Sequence, residues 1–263
     1  MLATQGGGDA RMLTALIYIC TAGALGCYTA ALAAECCCRH RLTVRCMAGG
    51  AALCLLLFIY NAELAAALPF GNMRHVLCFL PLASVFPLFA RKQGVRLHGW
   101  MAAMSMIALI GALIMPLQAA WRQAPALQSA WFAPHVTAYV ISYGWLTVAA
   151  LMALSSYARP AGAEAEMRAA ESLVVLAFPL LTFGLGSGAL WADEAWGAYW
   201  SWDIKETWAL LTWCLYLMWF HLRRSTPLLS RRPLLILAWV AVLITFLVVN
   251  LLPKISSLHS YAS

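Results

Sequence analysis

Long apolar runs alternate with short polar connections along the whole of this 263-residue chain. Eight of the runs are long enough to cross a lipid bilayer, for which about 20 residues in an α-helix suffice. The pattern therefore predicts an all-α fold, a polytopic integral membrane helical bundle with about eight transmembrane helices. The predicted spans are residues 12–34, 47–68, 75–90, 99–120, 132–156, 170–191, 206–222 and 233–252.

Two of these spans have features of their own. The third is the shortest and contains Pro81 and Pro87, so we expect it to be kinked, because proline lacks the N–H that a helix interior uses. The first begins close to the N-terminus. No small-residue cleavage site follows it, so we expect a retained helix rather than a cleaved signal peptide.

Composition and charge agree with a membrane protein. Hydrophobic residues make up 63% of the chain and charged residues only 10%, whereas soluble domains carry about 25% charged residues. The net charge of +7 comes from short basic runs between apolar spans, which is typical of topology signals in lipid-embedded proteins. Since no basic face with stacking aromatics is visible, we expect no nucleic-acid partner.

The distribution of basic residues predicts the orientation. The connections after the first, third, fifth and seventh spans hold twelve of the 17 lysines and arginines, so we expect these connections to face the cytoplasm. Both termini and the connection between the sixth and seventh spans then lie on the outer face of the membrane.

The nine cysteines show no paired spacing, so structural disulfides are not expected. The run "CCCRH", Cys36 to His40, resembles a haem-attachment motif at first sight. It does not satisfy the C-x-x-C-H pattern, because Arg39 stands where the second cysteine is required. We therefore interpret it as an ordinary segment at the membrane edge.

The outer connection contains an unusual density of tryptophan. Residues 191–213 read "WADEAWGAYWSWDIKETWALLTW", with six tryptophans and, among them, Asp203, Lys205 and Glu206. Single tryptophans are common at membrane interfaces as an aromatic belt. Six of them mixed with charged residues favour a binding site for a flat, largely apolar molecule.

Two histidines lie on the same predicted side as these tryptophans. They are His135, near the start of the fifth span, and His259, just after the eighth. Neutral imidazole is a good iron ligand, and a macrocycle stacks well on indole. We therefore expect haem in this region, with the two histidines on opposite faces of the iron. Lys205 and Arg122 are candidate partners for its propionates.

Four stretches of the sequence resemble a known family. "WGAYWSWDIKETWALLTW" resembles the WWD signature of haem-handling proteins, and is closest to the CcsA (ResC) subunit of the system II cytochrome c synthase. "HVTAYVISYGWL", "LYLMWFHLRR" and "TFLVVNLLPKISSLHSYAS" continue the resemblance, which covers the chain from about residue 130 to its end. The division that follows is an N-terminal four-helix membrane region, 1–129, and a haem-handling region, 130–263.

The resemblance implies a function in cytochrome c biogenesis in the bacterial cytoplasmic (inner) membrane. It implies that the protein binds haem b, conducts it across the membrane and presents it at the outer site for covalent attachment to apocytochrome c. It also implies a partner subunit of the CcsB (ResB) type. Whether this chain itself forms the thioether bonds, as a lyase-type synthase, stays open.

The resemblance further implies roles for individual residues. His135 and His259 would be the outer axial ligands, and His221 would be the intramembrane histidine where haem enters. The cradle for the haem would consist of Trp191, Trp196, Trp200, Trp202 and Asp203. Two positions depart from the family pattern: Ile204 stands where proline is typical, and His75 stands where an acidic residue is frequent. We assign no role to His75.

Three alternative functions remain open. A system I haem-handling subunit of the CcmC type typically has six spans and a different continuation after the aspartate. A cytochrome b-like electron carrier needs facing histidine pairs inside the spans. A solute transporter or channel with an aromatic gate needs a polar path through the membrane, for which Asn61 and Glu63 are the only polar pair in a middle span.

Overall fold

The chain is all-α. The computed structural model describes residues 2–85, 96–117 and 125–248, and within those ranges every regular element is helical. Short 3₁₀ turns precede α5, α6 and α8, and a π-helical turn follows α8. The α-helices are α1 (Leu2–Cys36), α2 (His40–Ala65), α3 (Met73–Phe79), α4 (Leu97–Ile114), α5 (Phe132–Ala158), α6 (Ala163–Trp196), α7 (Ile204–Leu222) and α8 (Arg232–Leu243).

The helices confirm a multi-pass membrane protein. In the described part of the chain, six segments are long and apolar enough to cross a membrane. Large apolar side chains also point outward from them, with Ile107 and Ile114 68% and 77% exposed, as lipid-facing side chains must be. The six segments are Asp9–Cys36, His40–Ala65, Leu97–Ile114, Phe132–Ala158, Pro160–Trp196 and Leu228–Phe246.

The two remaining predicted spans are shorter or more polar than the rest. The third consists of α3 and a 3₁₀ turn, Leu80–Ser84, and residues 86–90 lie outside the described residues. The seventh corresponds to α7, whose 19 residues are helical throughout but include Lys205, Glu206 and His221, which lower its mean hydropathy. Within the described residues, six of the eight predicted spans are thus confirmed as helices long and apolar enough to cross a membrane.

Several helices extend beyond the spans that hydropathy predicts. The sixth span was expected at 170–191, but α6 begins at Ala163 and ends at Trp196. Its first turn carries Glu164 and Glu166, which suit the positive end of the helix dipole. Backbone hydrogen bonding thus continues past the point where the side chains stop being apolar.

The helices form two compact units. One consists of Met1–Arg91 with His98–Gln123, and the other of Lys92–Leu97 with Ala124–Ser263. In the first unit, α1 and α2 pack along each other as a hairpin, and α3 contacts α2. In the second unit, α5 and α6 form the most extensive helix pair, and α8 packs on both α5 and α7.

A buried arginine hydrogen-bonds to the C-terminal end of α4 in the first unit. Arg74 of α3 is 2% exposed, and its Nη1 donates hydrogen bonds to the carbonyl oxygens of Ala112 (2.6 Å) and Met115 (2.9 Å). The last carbonyls of a helix have no partner within the helix, so the guanidinium satisfies groups that would otherwise be costly to bury.

A glycine sets the separation of α1 and α2. A Cβ built on Gly50 of α2 would lie 2.9 Å from the ring of Tyr28, a fully buried side chain of α1. The tyrosine hydroxyl lies 3.5 Å from Oγ of Ser84, which further restricts the ring. Close approach of two helices at a small residue is the usual way membrane helices associate.

We therefore predict that Gly50→Ala destabilises the first unit. Gly26→Ala is the matched control, because Gly26 is also within a helix and a Cβ there meets nothing within 4 Å. Both changes gain about 1 kcal/mol of helix propensity, but only Gly50→Ala overpacks the interface, at about 1–3 kcal/mol. Thermal unfolding in detergent should rank Gly26→Ala above Gly50→Ala, and equal midpoints would contradict the packing argument.

Candidate functional site

The face of α6 that contacts α5 lacks side chains at two positions one turn apart. A Cβ on Gly184 would lie 3.0 Å from the ring of Tyr139, and a Cβ on Gly188 would lie 2.6 Å from Cε1 and Nδ1 of His135. His135 and Tyr139 are likewise one turn apart on α5, where their rings contact at 4.9 Å between centroids. The two aromatic rings therefore occupy the space that the two glycines leave.

A hydrogen bond fixes the orientation of the His135 ring. Its Nδ1 lies 2.8 Å from the carbonyl oxygen of Gly184. Because a carbonyl oxygen only accepts, Nδ1 must carry the proton, and in the neutral ring the lone pair then lies on Nε2. The same arrangement, in which one nitrogen donates to a backbone carbonyl, orients metal-binding histidines in many proteins.

An aromatic cluster surrounds the imidazole. Trp191 lies 5.4 Å from the His135 ring, 5.2 Å from Phe132 and 4.9 Å from Trp196, all between ring centroids. Trp191 is only 3% exposed, and its Nε1 donates to the carbonyl oxygen of Ala126 at 2.6 Å. Trp191 is therefore a packed support for the histidine, and Trp196 packs against Trp191.

The loop between α6 and α7 begins at a glycine. α6 ends where Gly197 adopts φ +74°, and its N–H donates to the carbonyl oxygen of Asp193 at 2.8 Å. Glycine tolerates this left-handed conformation, which is common after a helix. The chain leaves α6 at this glycine and continues as a loop to Asp203, the N-cap of α7.

Two tryptophans of this loop form a pair. The rings of Trp200 and Trp202 lie 5.8 Å apart at an interplanar angle of 81°. Trp202 is 68% exposed and has φ +59°, a conformation that costs a non-glycine residue about 1–2 kcal/mol. Nε1 of Trp200 is buried and has no hydrogen-bond partner among the described residues.

The two acidic residues of the loop hold its backbone. Asp203 is the N-cap of α7 and accepts a hydrogen bond from the N–H of Glu206 at 2.7 Å, while Oε2 of Glu206 accepts from the N–H of Asp203 at 3.2 Å. Oε2 of Glu206 also accepts from the N–H of Ser201 at 2.8 Å. This reciprocal capping box satisfies donors that the helix start leaves unpaired. In the part of the chain that the structure describes, Asp203 therefore caps α7 and holds the backbone of the loop.

Lys205 brings a cation to the same helix start, just before the predicted span 206–222. The side chain is half-buried and interacts electrostatically with the neighbouring Asp203 carboxylate. Its positive charge would attract an anionic group.

His221 lies at the opposite end of α7. Eighteen residues separate it from Asp203, which corresponds to about 27 Å at a rise of about 1.5 Å per residue. It is exposed and lies two residues before Arg223, which contacts the half-buried Glu171 at 2.5 Å. The buried Arg231 contacts the same carboxylate at 3.4 Å.

The structure therefore brings together only some of the predicted site residues. His135, Trp191 and Trp196 form one cluster, and Trp200, Trp202 and Asp203 belong to the loop that follows. His259 and Arg122 lie outside the described residues.

Sequence reasoning assigned no role to four residues that shape this end of the molecule. They are Gly184 and Gly188, which receive the two rings, and Ser201 and Glu206, which hold the loop. The G-x-x-x-G spacing of the glycines and the D-x-x-E spacing of Asp203 and Glu206 were available signals, since both patterns have known geometric meanings.

The fold and the site define a multi-pass α-helical membrane protein whose aromatic loop follows a helix pair that orients a histidine. Comparison with known proteins supports this class of protein. Residues 70–257 match the family model described as cytochrome C assembly protein. The chain therefore belongs to the cytochrome c assembly protein family, as a CcsA-type member.

Three of the relatives named cytochrome c biogenesis protein CcsA illustrate the similarity. The protein of Chlamydomonas reinhardtii is 32% identical over 238 residues, which cover 80% of this chain and 65% of the relative, so this chain spans just under two thirds of its length. The protein of Parasynechococcus marenigrum is 32% identical over 73% of this chain and 77% of its own length. That of Guillardia theta is 33% identical over 73% and 76%.

We predict that Asp203 stabilises the loop through its side-chain oxygen rather than its charge. Asp203→Ala should lower the free energy of unfolding by about 0.5–2 kcal/mol, whereas Asp203→Asn, which keeps an acceptor oxygen, should stay close to the wild type. Thermal unfolding in detergent compares the two variants. Equal destabilisation by alanine and asparagine would instead assign the effect to the carboxylate charge.

Proposed function

We propose that this protein binds haem b at its tryptophan-rich end and presents it there for covalent attachment to apocytochrome c. Membership of the cytochrome c assembly family supports this proposal, and the relatives are named for cytochrome c biogenesis. The observation that carries it is the hydrogen bond from Nδ1 of His135 to Gly184.

The chemistry of that hydrogen bond suits an iron ligand. Nδ1 donates to the Gly184 carbonyl, so Nε2 bears the lone pair with which imidazole binds haem iron. Donation to a carbonyl also increases the basicity of the ring, and the tight fit against Gly188 limits its rotation. In this proposal His259 supplies the second axial ligand, as the family resemblance implies.

The aromatic loop suits a flat apolar molecule. The exposed indole of Trp202 offers an uncovered face, and its left-handed backbone conformation is strain of the kind that accumulates at functional sites. Trp200 adds a second ring and an N–H without a partner among the described residues. Trp191 and Trp196 support the cradle from the side of His135.

The polar groups suit the propionates of haem. The Lys205 ammonium, partly removed from water, gains by pairing with a carboxylate, and the Trp200 N–H is a donor that such a carboxylate can use. Arg122 is the further cation proposed for this purpose. Asp203 contributes indirectly, by holding the loop that carries Trp202.

The remaining parts of the proposal concern the route that haem takes, the partner subunit and the membrane. His221, about 27 Å along α7 from the loop, is proposed as the ligand where haem enters from the cytoplasmic side. Its exposure leaves it accessible to a second subunit, for which we propose a CcsB (ResB)-type protein. We propose that the protein lies in the bacterial cytoplasmic membrane, with the tryptophan-rich loop and both termini outside.

The chain's own contribution is positioning. Bound haem supplies the iron and the vinyl groups to which the cysteine thiols of apocytochrome c add. The residues of this chain hold that haem in one orientation and keep its iron ligated, while the exposed side of the loop admits the apocytochrome segment. Thioether formation is assigned to the complex with the partner subunit.

The first test is ligand replacement at His135. We expect wild-type protein purified from membranes to show the reduced spectrum of six-coordinate b-type haem, and His135→Gly to lose or alter it. Added imidazole should restore the spectrum of His135→Gly, because it replaces the missing side chain within the space left by the substitution. His259→Gly should behave in the same way.

Loss of haem through a missing ligand can be distinguished from misfolding of the variant. Restoration by imidazole requires a folded variant, and gel filtration in detergent checks the fold independently. A six-coordinate spectrum that is unchanged in both variants would contradict the outer bis-histidine site. Haem that persists together with quinol-driven redox turnover would favour a cytochrome b-like carrier instead.

A second test uses the glycine face of α6. Gly188→Ala should displace the His135 ring, because its Cβ would lie 2.6 Å from two ring atoms. Gly186→Ala is the matched control, since a Cβ there meets nothing within 4 Å. We expect haem content to fall several-fold in Gly188→Ala alone, measured as haem per protein. Equal haem content in the two variants would show that the position of His135 is unimportant for binding.

A further inference from the structure

Three helix ends of the first compact unit bring together three metal-binding side chains. Glu35 lies in the last turn of α1, His40 is the first residue of α2 and His98 is the second residue of α4. One ligand atom from each lies within 4.8 Å of the other two. The imidazole rings of His40 and His98 contact at 5.0 Å between centroids, with an interplanar angle of 64°.

The turn between α1 and α2 keeps the first two of these residues close. The N–H of Arg39 donates to the carbonyl oxygen of Ala34 at 2.8 Å, and the N–H of Cys38 donates to that of Glu35 at 3.1 Å. This pair of bonds is a Schellman motif, with Cys38 at φ +55° in the position that glycine usually takes. The chain thus reverses within three residues and sets His40 beside Glu35.

We propose that Glu35, His40 and His98 bind a divalent transition metal ion of the zinc class. Two imidazoles and one carboxylate form a common protein donor set for such ions, with an open position for water. At metal–ligand distances of about 2.0–2.2 Å, neighbouring ligand atoms of a tetrahedral site lie about 3.3–3.6 Å apart. A separation of up to 4.8 Å therefore closes by small side-chain rotations.

The charged groups around the cluster favour a bound metal ion over an ion pair between Glu35 and a neighbouring arginine. Arg39, Arg41 and Arg45 lie in the same segment and are exposed. Within the described residues, none of them forms an ion pair with Glu35. The carboxylate lies beside the imidazoles instead, where its charge offsets that of a dication. The exposed guanidinium groups weaken binding only moderately, because water and salt screen them.

The neighbouring cysteines supply the competing donor set. Cys36, Cys37 and Cys38 are free and exposed, and thiolates are zinc ligands too. The run "CCCRH" was interpreted from sequence as an ordinary membrane-edge segment, because it does not fit a haem-attachment motif. The proximity of Glu35, His40 and His98 changes that interpretation for its histidine.

The proposed metal site is independent of the proposed haem function. Its ligands belong to the first compact unit, and the tryptophan-rich end belongs to the second. The metal site is tested by measuring bound zinc, whereas the haem site is tested by the haem spectrum. Either proposal can therefore fail without the other.

The test begins with zinc stoichiometry of the full-length protein in detergent. After treatment with a chelator, we expect equilibrium dialysis against Zn²⁺ to load about one ion per chain. His40→Ala and Glu35→Gln should weaken binding by roughly tenfold or more. Because His40 is exposed, its substitution leaves the core intact. Glu164→Gln, which changes an exposed glutamate elsewhere, is the matched control and should bind as wild type does.

A second measurement identifies the donor atoms. We expect X-ray absorption at the zinc edge to show nitrogen and oxygen ligands at about 2.0–2.2 Å and no sulfur at about 2.3 Å. Combined substitution of Cys36, Cys37 and Cys38 by serine should then leave affinity unchanged. Sulfur ligation, loss of binding in the serine variant alone, or no zinc in the wild type would each overturn the proposal.

Discussion

The close approach of α5 and α6 at Gly184 and Gly188 is the constraint on which the tryptophan-rich end depends. No Cβ separates the helices there, so the rings of Tyr139 and His135 enter the space and Nδ1 of His135 reaches the Gly184 carbonyl. The fixed imidazole in turn packs against Trp191, whose indole N–H bonds to Ala126. A methyl group on Gly188 would disturb this whole series of contacts, because membrane helices rely on close packing rather than on a hydrophobic driving force between them.

The loop that follows separates its polar and aromatic residues by role. Asp203 and Glu206 satisfy backbone N–H groups at the start of α7, and Glu206 is 8% exposed. A carboxylate so far removed from water must accept hydrogen bonds, and it accepts them from the loop itself. The rings of Trp200 and Trp202 contact each other and take no part in this capping. The charged residues of the tryptophan-rich stretch are thus explained in part without any ligand.

Non-glycine residues in left-handed conformation occur at the ends of helices in the described part of the chain. Cys38 and Ala66 follow α1 and α2, and Trp202 precedes the N-cap of α7. Each costs about 1–2 kcal/mol relative to the right-handed region. Backbone hydrogen bonds at the helix ends offset part of this cost, as where the N–H of Arg39 donates to the carbonyl oxygen of Ala34. Two of the three turns lie beside the clusters for which we propose haem and metal binding.

The sequence by itself determined that the protein is an all-α membrane protein and which part of the chain forms its tryptophan-rich loop. A bilayer leaves the backbone no partners but its own, so long apolar runs must be helices, and their lengths can be read along the chain. Only the tertiary structure decided that His135 bonds to Gly184, that Trp191 is a buried support, and that Glu35, His40 and His98 meet. These contacts depend on the rotation and register of one helix against another, and residues 35 and 98 are too far apart in sequence for any local pattern to relate them.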